Sequence, residues 1–453
     1  MRILIITTYY PPDTAIAAVR PYMFAKYLKQ YGHDVTVLRS GEFFNDCENF
    51  FENIPGVQVI SYLGENSPAE VFARGEWEKP STQPKSRIGF LPEKVRKPIA
   101  RFYHRIMQPR ELARHMMRRN QCLEKQKAAL DQLKSQGNSF DIVFSTFGEI
   151  ENIFAGQYAA KIFDCKLVQD FRDSAARSPF LRRRWLKKLQ KIQREAVSQA
   201  DAVTAVSSGL LSELTLGVKS NFPEMVLHNG YEPIANTMPA CNDSPEAGLF
   251  AICYTGLLYA GMSDFSPLLQ ALSTLKEQGK IDLSKVRIHY AGPDFNRLQM
   301  AAAQFQLTEI VVDHGYVSRT EAARLQATAD IFTVLSWNTE SSQGILTGKF
   351  YEGIRAGKPI LSIISGNVPH SELDLLNQKY QYGFCYEICR NKEQFHQLCD
   401  YLEKAYREKM ELGSVAYVPD PALQSDFRYD TLAKKLESLC IDLMQEKQPP
   451  QQA

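Results

Sequence analysis

Lys349 and Glu352, three residues apart behind a loop that carries Gly344 and Gly348, have the types and spacing to do chemistry. They stand in the stretch SWNTESSQGILTGKFYEGIRAGKPILSII, residues 336–364. Lys349 to Arg355 read as a helix with Phe350, Tyr351 and Ile354 on one side. The first turn of a helix offers unpaired backbone N–H groups and the positive end of its dipole. Glycines just before it let a ligand approach the backbone, and such a place suits phosphate. Lys349 adds a point charge there. Glu352, one turn on, is an acceptor suited to paired ribose hydroxyls. The bland alternative is a capped helix with a surface lysine and glutamate, and spacing alone leaves both open.

Positioning these two side chains takes a strand, a loop, a helix and a second strand. Ile331 to Leu335 is a short apolar run that delivers the chain to the loop. Gly357 stops the helix, and Ile360 to Ile364 is a second buried run. That order is one crossover unit of a parallel sheet. The same alternation begins at the first residue, with a strand at Arg2–Thr8, a loop opened by Pro11-Pro12, a helix at Val19–Tyr31 and a strand at Asp34–Leu38. It resumes after residue 140 with DIVFS, KLVQD and ADAVTA, and again from Phe250 with FAICYT and VRIHYA. Residues 232–248, rich in Pro, Asn, Asp and Ser, read as a linker. We therefore expect an α/β protein with two doubly wound domains joined near residue 240. In open parallel sheets ligands sit beyond the carboxyl ends of the strands. Gly256 and Gly292 each close a strand of the second series at such an end.

Two stretches stand apart by charge. Residues 65–120 interleave Lys79, Lys85, Arg87, Lys94, Arg96, Lys97, Arg101, Arg105 and further arginines with apolar residues and prolines. A helix near 180–199 carries Arg182, Arg183, Arg184, Lys187, Lys188, Lys191 and Arg194. Basic amphipathic segments of this kind can lie on an anionic membrane surface, or be a solvated face packed on the domain. The whole chain of 453 residues carries a formal charge of only +2, which gives no argument for nucleic acid. Its nine cysteines form no CxxC pair, so buried thiols in a reducing compartment are expected rather than disulfides or a metal centre. No apolar run reaches the ~18 residues that span a bilayer. The N-terminus enters a strand at once and is not expected to be a signal peptide.

These residues together carry a resemblance. The opening RILIITTYYPPDTAIAAVRPYMFAKYLKQYGHDVTVL, the middle segments LVQDFRD, ADAVTAVSSGL and LHNGY, and the later CYTGLLYAG, IHYAGP, HGYVSRTEAARLQATADIF and GILTGKFYEGIRAGKPIL occur in one order. Nearly the whole chain resembles a GT-B glycosyltransferase of the retaining family 4 group used in bacterial surface-polysaccharide assembly. The resemblance implies two Rossmann-like domains facing a cleft. Residues 1–235 would form the acceptor-side domain with the basic insertion at about 65–120. Residues 245–420 would bind the nucleotide sugar, and a helix at 425–445 would pack back on the first domain.

It also implies site residues. Glu352 would bind the donor ribose. Gly344, Ile345, Leu346, Thr347, Gly348 and Lys349 would lie at the diphosphate, with Gly256 and Gly292 also on the donor side. Tyr316 and Val317 would meet the base, and Glu340 the sugar. The Pro11–Arg20 loop would face the diphosphate from the first domain, with Arg20 and Lys349 as its cationic clamps. Asp170, Arg172 and Asp173 would face the acceptor or the transferred sugar. The chain departs from the family in three places: Ala15-Ile16-Ala17-Ala18 replaces a Gly-Gly pair, Gly344 holds an expected acid's position, and Met262 lies where an Arg…Lys pair usually follows the TG turn. The implied activity moves a sugar from a UDP- or GDP-sugar to a glycan or lipid-linked acceptor, with no metal and no cofactor. The implied location is cytoplasmic, docked peripherally on the inner membrane face. A nucleotide-sugar 2-epimerase on the same fold, and a non-catalytic nucleotide- or glycan-binding protein, are the competing expectations.

Overall fold

A computed structural model describes residues 1–13, 15–41, 51–64, 117–174, 183–219, 222–233 and 248–445. The basic insertion at 65–116, Arg182 and most of the 232–248 linker lie outside these residues. The chain divides into two compact units. The first comprises Met1–Thr204, Gly217–Met225 and the segment beginning at Ala433; the second comprises Ala205–Leu216 and Val226–Leu432. The chain passes from one unit to the other after residues 204, 216, 225 and 432, where the sequence suggests a break near 240 and a return near 425.

The first unit is built on β1 (Arg2–Ile6), α1 (Ile16–Gln30), β2 (Asp34–Arg39) and β3 (Gln58–Ser61). There follow α2 (117–135), β4 (Ile142–Phe147), α3 (Ile150–Phe163), β5 (Lys166–Phe171), α4 (Arg183–Ser198), β6 (Ala202–Ala205) and β7 (Glu224–Val226). Between the last two strands comes α5 (Ser208–Thr215), which groups with the second unit. The strands form one sheet in the order β3-β2-β1-β4-β5-β6-β7. β1 pairs in parallel with β2 on one side and β4 on the other. Its Ile3, Leu4, Ile5 and Ile6 are fully buried, as a strand covered on both faces requires. α1 starts at Ile16, earlier than the expected Val19. Asp13 accepts from the Ala15 N–H at 2.9 Å, and Ala17 and Ala18 favour helix because they lose no side-chain entropy. Ile16, Ala17 and Ala18 thus stand on the helix rather than in the loop, and Arg20 lies in its second turn.

The second unit continues with β8 (Phe250–Thr255), α6 (Ser266–Glu277), β9 (Val286–Ala291), α7 (Phe295–Gln304), β10 (Val311–Asp313) and α8 (Arg319–Thr328). Then come β11 (Ile331–Trp337), α9 (Gly348–Ala356), β12 (Ile360–Ser365), α10 (Glu372–Tyr380), β13 (Gly383–Glu387), α11 (Asn391–Leu412) and α12 (Ala422–Asp426). Its sheet runs β10-β9-β8-β11-β12-β13, and these neighbours pair in parallel. Side chains alternate across it: Ile331 and Leu335 enter the core on one face, Phe332 and Val334 the core on the other. The last helix, α13 (Tyr429–Gln445), starts in the second unit and from Ala433 belongs to the first. There its Glu437 lies 2.7 Å from Nε2 of His33. Among the described residues no helix is long and apolar enough to cross a membrane.

In each sheet the strand order reverses once, between β1 and β4 in the first and between β8 and β11 in the second. The crevice at such a reversal, beyond the carboxyl ends of the strands, is where open α/β sheets take ligands. The glycine loop and α9 follow β11, so the second unit presents its Lys349–Glu352 pair at that reversal.

Candidate active site

Thr255 ends β8, and Gly256 turns away from it with φ +128°, a conformation that favours glycine. Across the reversal, Thr347 is the N-cap of α9 and Gly357 closes it in the left-handed region with φ 65°. Lys349 Nζ donates to both oxygens of Glu352, at 2.9 and 3.1 Å. A Cβ added to Gly256 would stand 2.6 Å from Lys349 Cε, so the lysine stem lies along this glycine. Behind the pair, Gln326 Nε2 on α8 donates to Glu352 Oε2 at 2.7 Å and to Thr255 Oγ1 at 2.8 Å. Arg355 Nη2 donates to the other end of that amide at 3.0 Å and so fixes which way it points. The carboxylate is therefore held from the interior, while its cationic partner is held by the carboxylate. Thr347 Oγ1 is buried and makes no helix cap; among the described residues it has no hydrogen-bond partner, an orphaned hydroxyl at the start of the helix.

The structure brings Gly256, Thr347, Gly348, Lys349 and Glu352 together as the sequence suggests. Gly348 has open space around it, as a backbone that receives a ligand needs. The Ile345 carbonyl accepts from the Ser336 hydroxyl at 3.0 Å and Leu346 is buried in the core, which pins the loop to β11. Gly344 has a packing reason of its own: its φ is +69°, and a Cβ there would meet Ser207 Oγ at 2.5 Å and Gly209 Cα at 2.9 Å. Gly292 is likewise packed, with a Cβ position 2.3 Å from the Gly256 carbonyl oxygen. Tyr316 is 84% exposed on the loop after β10, and Val317 packs partly against the core. Glu340 is exposed on the Thr339–Ser342 turn and takes no part in the hydrogen bonds around Glu352 among the described residues.

Sequence reasoning missed Gln326. Its signal was a polar residue one helical turn from Ala322 and Ala329, on an otherwise small apolar face of α8. It also missed the pair of Tyr259, beyond β8, and Trp337, at the end of β11, with ring centroids 5.6 Å apart.

The first unit's residues have a different character. Arg20 and Asp170 are 2% and 0% exposed and bound to each other, with Nε to Oδ2 at 3.0 Å and Nη2 to Oδ1 at 2.7 Å. Thr146 and Thr204 donate their hydroxyls to the same carboxylate at 2.7 and 2.6 Å. The expectation of Arg20 as a diphosphate clamp and Asp170 as an acceptor contact therefore gives way to a buried pair joining α1 to β5. The physical reason is that each charge is already spent on the other, away from solvent. Arg172 donates to the carbonyl oxygens of Phe147 at 3.1 Å and Ala17 at 2.6 Å, and so stitches the end of β4 to α1. Asp173 is exposed, and its Oδ1 accepts from the Ser174 N–H at 2.8 Å. Nearby, at the first turn of α3, Glu151 is 5% exposed, with a buried Oε2 that has no partner among the described residues. Burial first, and the neighbouring Glu149 among the charges, push its carboxyl up to about 7.

His370, Asp374 and Glu387 bring three ligand-type atoms within 4.8 Å of one another. Glu387 already accepts from the His370 and Ser371 N–H groups at 2.9 and 2.7 Å, and Arg390 Nη1 lies 3.6 Å from both carboxylates. The chemistry of that donor set is a helix start neutralised by arginine. Of the described cysteines, Cys122, Cys253, Cys385, Cys399 and Cys440 are buried, and burial pushes Cys253 and Cys440 up to about 12.

No family model matches the chain, and no curated protein does. Solved structures match along nearly its whole length at low identity. A sucrose-phosphate synthase from Thermosynechococcus elongatus aligns with TM-score 0.55 and 12% identity, covering 98% of this chain and 100% of its own. The lipopolysaccharide outer core galactosyltransferase WaaB aligns with TM-score 0.56 and 12% identity, over 98% and 99%. Anabaena HepE in complex with UDP-glucose aligns with TM-score 0.51 and 15% identity, over 98% and 100%. At such identities the likeness establishes the fold: two Rossmann-like domains of the GT-B type.

Proposed function

We propose that this chain is a glycosyltransferase that moves a sugar from a nucleotide-sugar donor, a UDP-sugar first among candidates, to an acceptor hydroxyl. The observation that carries the reading is the Lys349–Glu352 pair at the β8/β11 reversal, beside the orphaned Thr347 hydroxyl. A fixed carboxylate and a movable ammonium one turn apart suit a ribose and a diphosphate at the same time. The UDP-glucose bound by HepE, a protein with the same fold, supports UDP as the carrier. As the sugar leaves, negative charge grows on the diphosphate. Lys349 and the first-turn N–H groups of α9 are cationic and dipolar groups suited to stabilise it. We read the reaction as metal-independent and retaining, of the family 4 type.

The acceptor is a glycan or a lipid-linked glycan of cell-surface polysaccharide assembly, met at the cytoplasmic face of a membrane. The exposed Lys187, Lys188, Lys191 and Arg194 on α4 support an anionic surface as partner. A thermal-shift screen of UDP, GDP and their sugars, followed by a transfer assay on the sugar that stabilises most, tests the reading. Stabilisation by a nucleoside diphosphate and release of that diphosphate on adding acceptor are expected. Conversion of the sugar at C2 without acceptor would make the protein an epimerase, and binding without turnover would make it a binding protein.

A further inference from the structure

In the site proposed for the donor, the cation meant for the diphosphate and the carboxylate meant for the ribose are bound to each other. We propose that this pair is an exchange latch: the ribose hydroxyls take Glu352, and only then does Lys349 become available to the diphosphate. The inference rests on the nucleotide-sugar reading above and adds to it a rule for which ligands the site admits.

The two partners are unequally held. Glu352 receives Gln326, a 1% exposed side chain itself clamped by Arg355 and hydrogen-bonded to Thr255. Lys349 has a flexible stem, is 27% exposed, and donates to Glu352 alone among the described residues. When two hydroxyls approach the carboxylate, the lysine is the group that yields. Gly256 leaves space for its stem on the other side of the reversal. The helix start at Thr347 and Gly348, where an anion would lie, immediately precedes Lys349 in the chain. A bare phosphate or pyrophosphate therefore meets a site whose ammonium is already neutralised. A nucleoside diphosphate brings the competing hydroxyls with it. The site would favour complete nucleotides over the inorganic anions that share their charged end.

Two fragments test this on the full chain: uridine and inorganic pyrophosphate, titrated separately and together by NMR or calorimetry. In the wild type, saturating uridine should tighten pyrophosphate by about two- to fivefold, the worth of a partly exposed ion pair. Pyrophosphate should tighten uridine by the same factor. E352Q removes the charge that holds Lys349 and keeps the shape. It should bind pyrophosphate more tightly than the wild type, bind UDP more weakly, and lose the coupling. Absence of coupling in the wild type, or equal coupling in E352Q, overturns the latch. The wild-type arm needs no variant to fold. Failure of UDP itself to bind the wild type would instead remove the donor reading, a result distinct from UDP binding with uncoupled fragments.

Discussion

Replacing Asp170 by Asn should cost the protein about 3–5 kcal/mol of stability, because it breaks a buried ion pair and leaves the Arg20 charge uncompensated. The magnitude follows from the geometry. Asp170 is fully buried and accepts four hydrogen bonds, two from Arg20 and one each from Thr146 and Thr204. Asparagine keeps the shape but loses the charge, and its NH2 group turns a donor towards at least one donor. An exposed pair would lose under about 1 kcal/mol, so the expected loss is a measure of burial. Urea unfolding at neutral pH, followed by circular dichroism and by intrinsic fluorescence, reads it. Adding Arg20→Met to Asp170→Asn should recover part of the loss, since the buried cation is then gone. The reasoning is refuted if Asp170→Asn stays within about 1 kcal/mol of wild type, or if the second substitution adds a further full loss. If stability is unchanged while transfer disappears, Asp170 touches the substrate after all.

The carboxyl of Glu151, raised from 4.5 to about 7, binds a proton in the folded state that the unfolded state releases between those values. Its contribution to stability is complete below about 4.5 and is lost as pH rises through about 7, so Glu151→Gln should gain on wild type by up to about 3 kcal/mol between pH 4.5 and pH 8; a pH-independent difference in unfolding would contradict this. Glu352→Ala should weaken UDP by about 2–3 kcal/mol, the loss of charged acceptors for two hydroxyls, and unchanged calorimetric affinity would sink the ribose assignment. Lys349→Ala should lower kcat more than it raises KM, because the charge it meets grows towards the transition state; a pure KM effect would move the clamp elsewhere. Substituting Ser for Lys187, Lys188, Lys191 and Arg194 together should release the protein from anionic vesicles by up to ~1 kcal/mol per charge at low salt, and equal pelleting with neutral lipid would end the membrane reading.

The βα alternation was legible because parallel strands buried on both faces must be continuous apolar runs, and FAICYT, ILSII and RILII are such runs. The Lys349–Glu352 pair was legible because glycine, helix start and charge fall within one short stretch. The pairing of Arg20 with Asp170 was not, for a physical reason. A charge at a strand end looks the same in sequence whether it faces a ligand or a partner 150 residues away, and only tertiary pairing separates the two. Gln326 was hidden because its role depends on Arg355 and Glu352 from another helix. The early start of α1 was missed because Pro11-Pro12 drew the loop too far, while Ala17 and Ala18 favour helix.

The place of α13 in the first unit has a consequence for how the protein is made. Ile3 of β1 pairs with Ile142 of β4, and the segment from Ala433 completes the same unit. A chain emerging from a ribosome at ~5–20 residues per second shows β1 about 20 to 90 s before that last helix. Until then His33 waits without Glu437, and the apolar side chains Leu436, Leu439 and Leu443, all buried in the finished protein, have not yet been synthesised. The strands of the second unit's sheet, all between Phe250 and Glu387, are made before the first unit can close. Folding during synthesis therefore cannot proceed strictly from the N-terminus, and a nascent chain stalled before Ala433 should offer chaperones the surface of the first unit that α13 later covers.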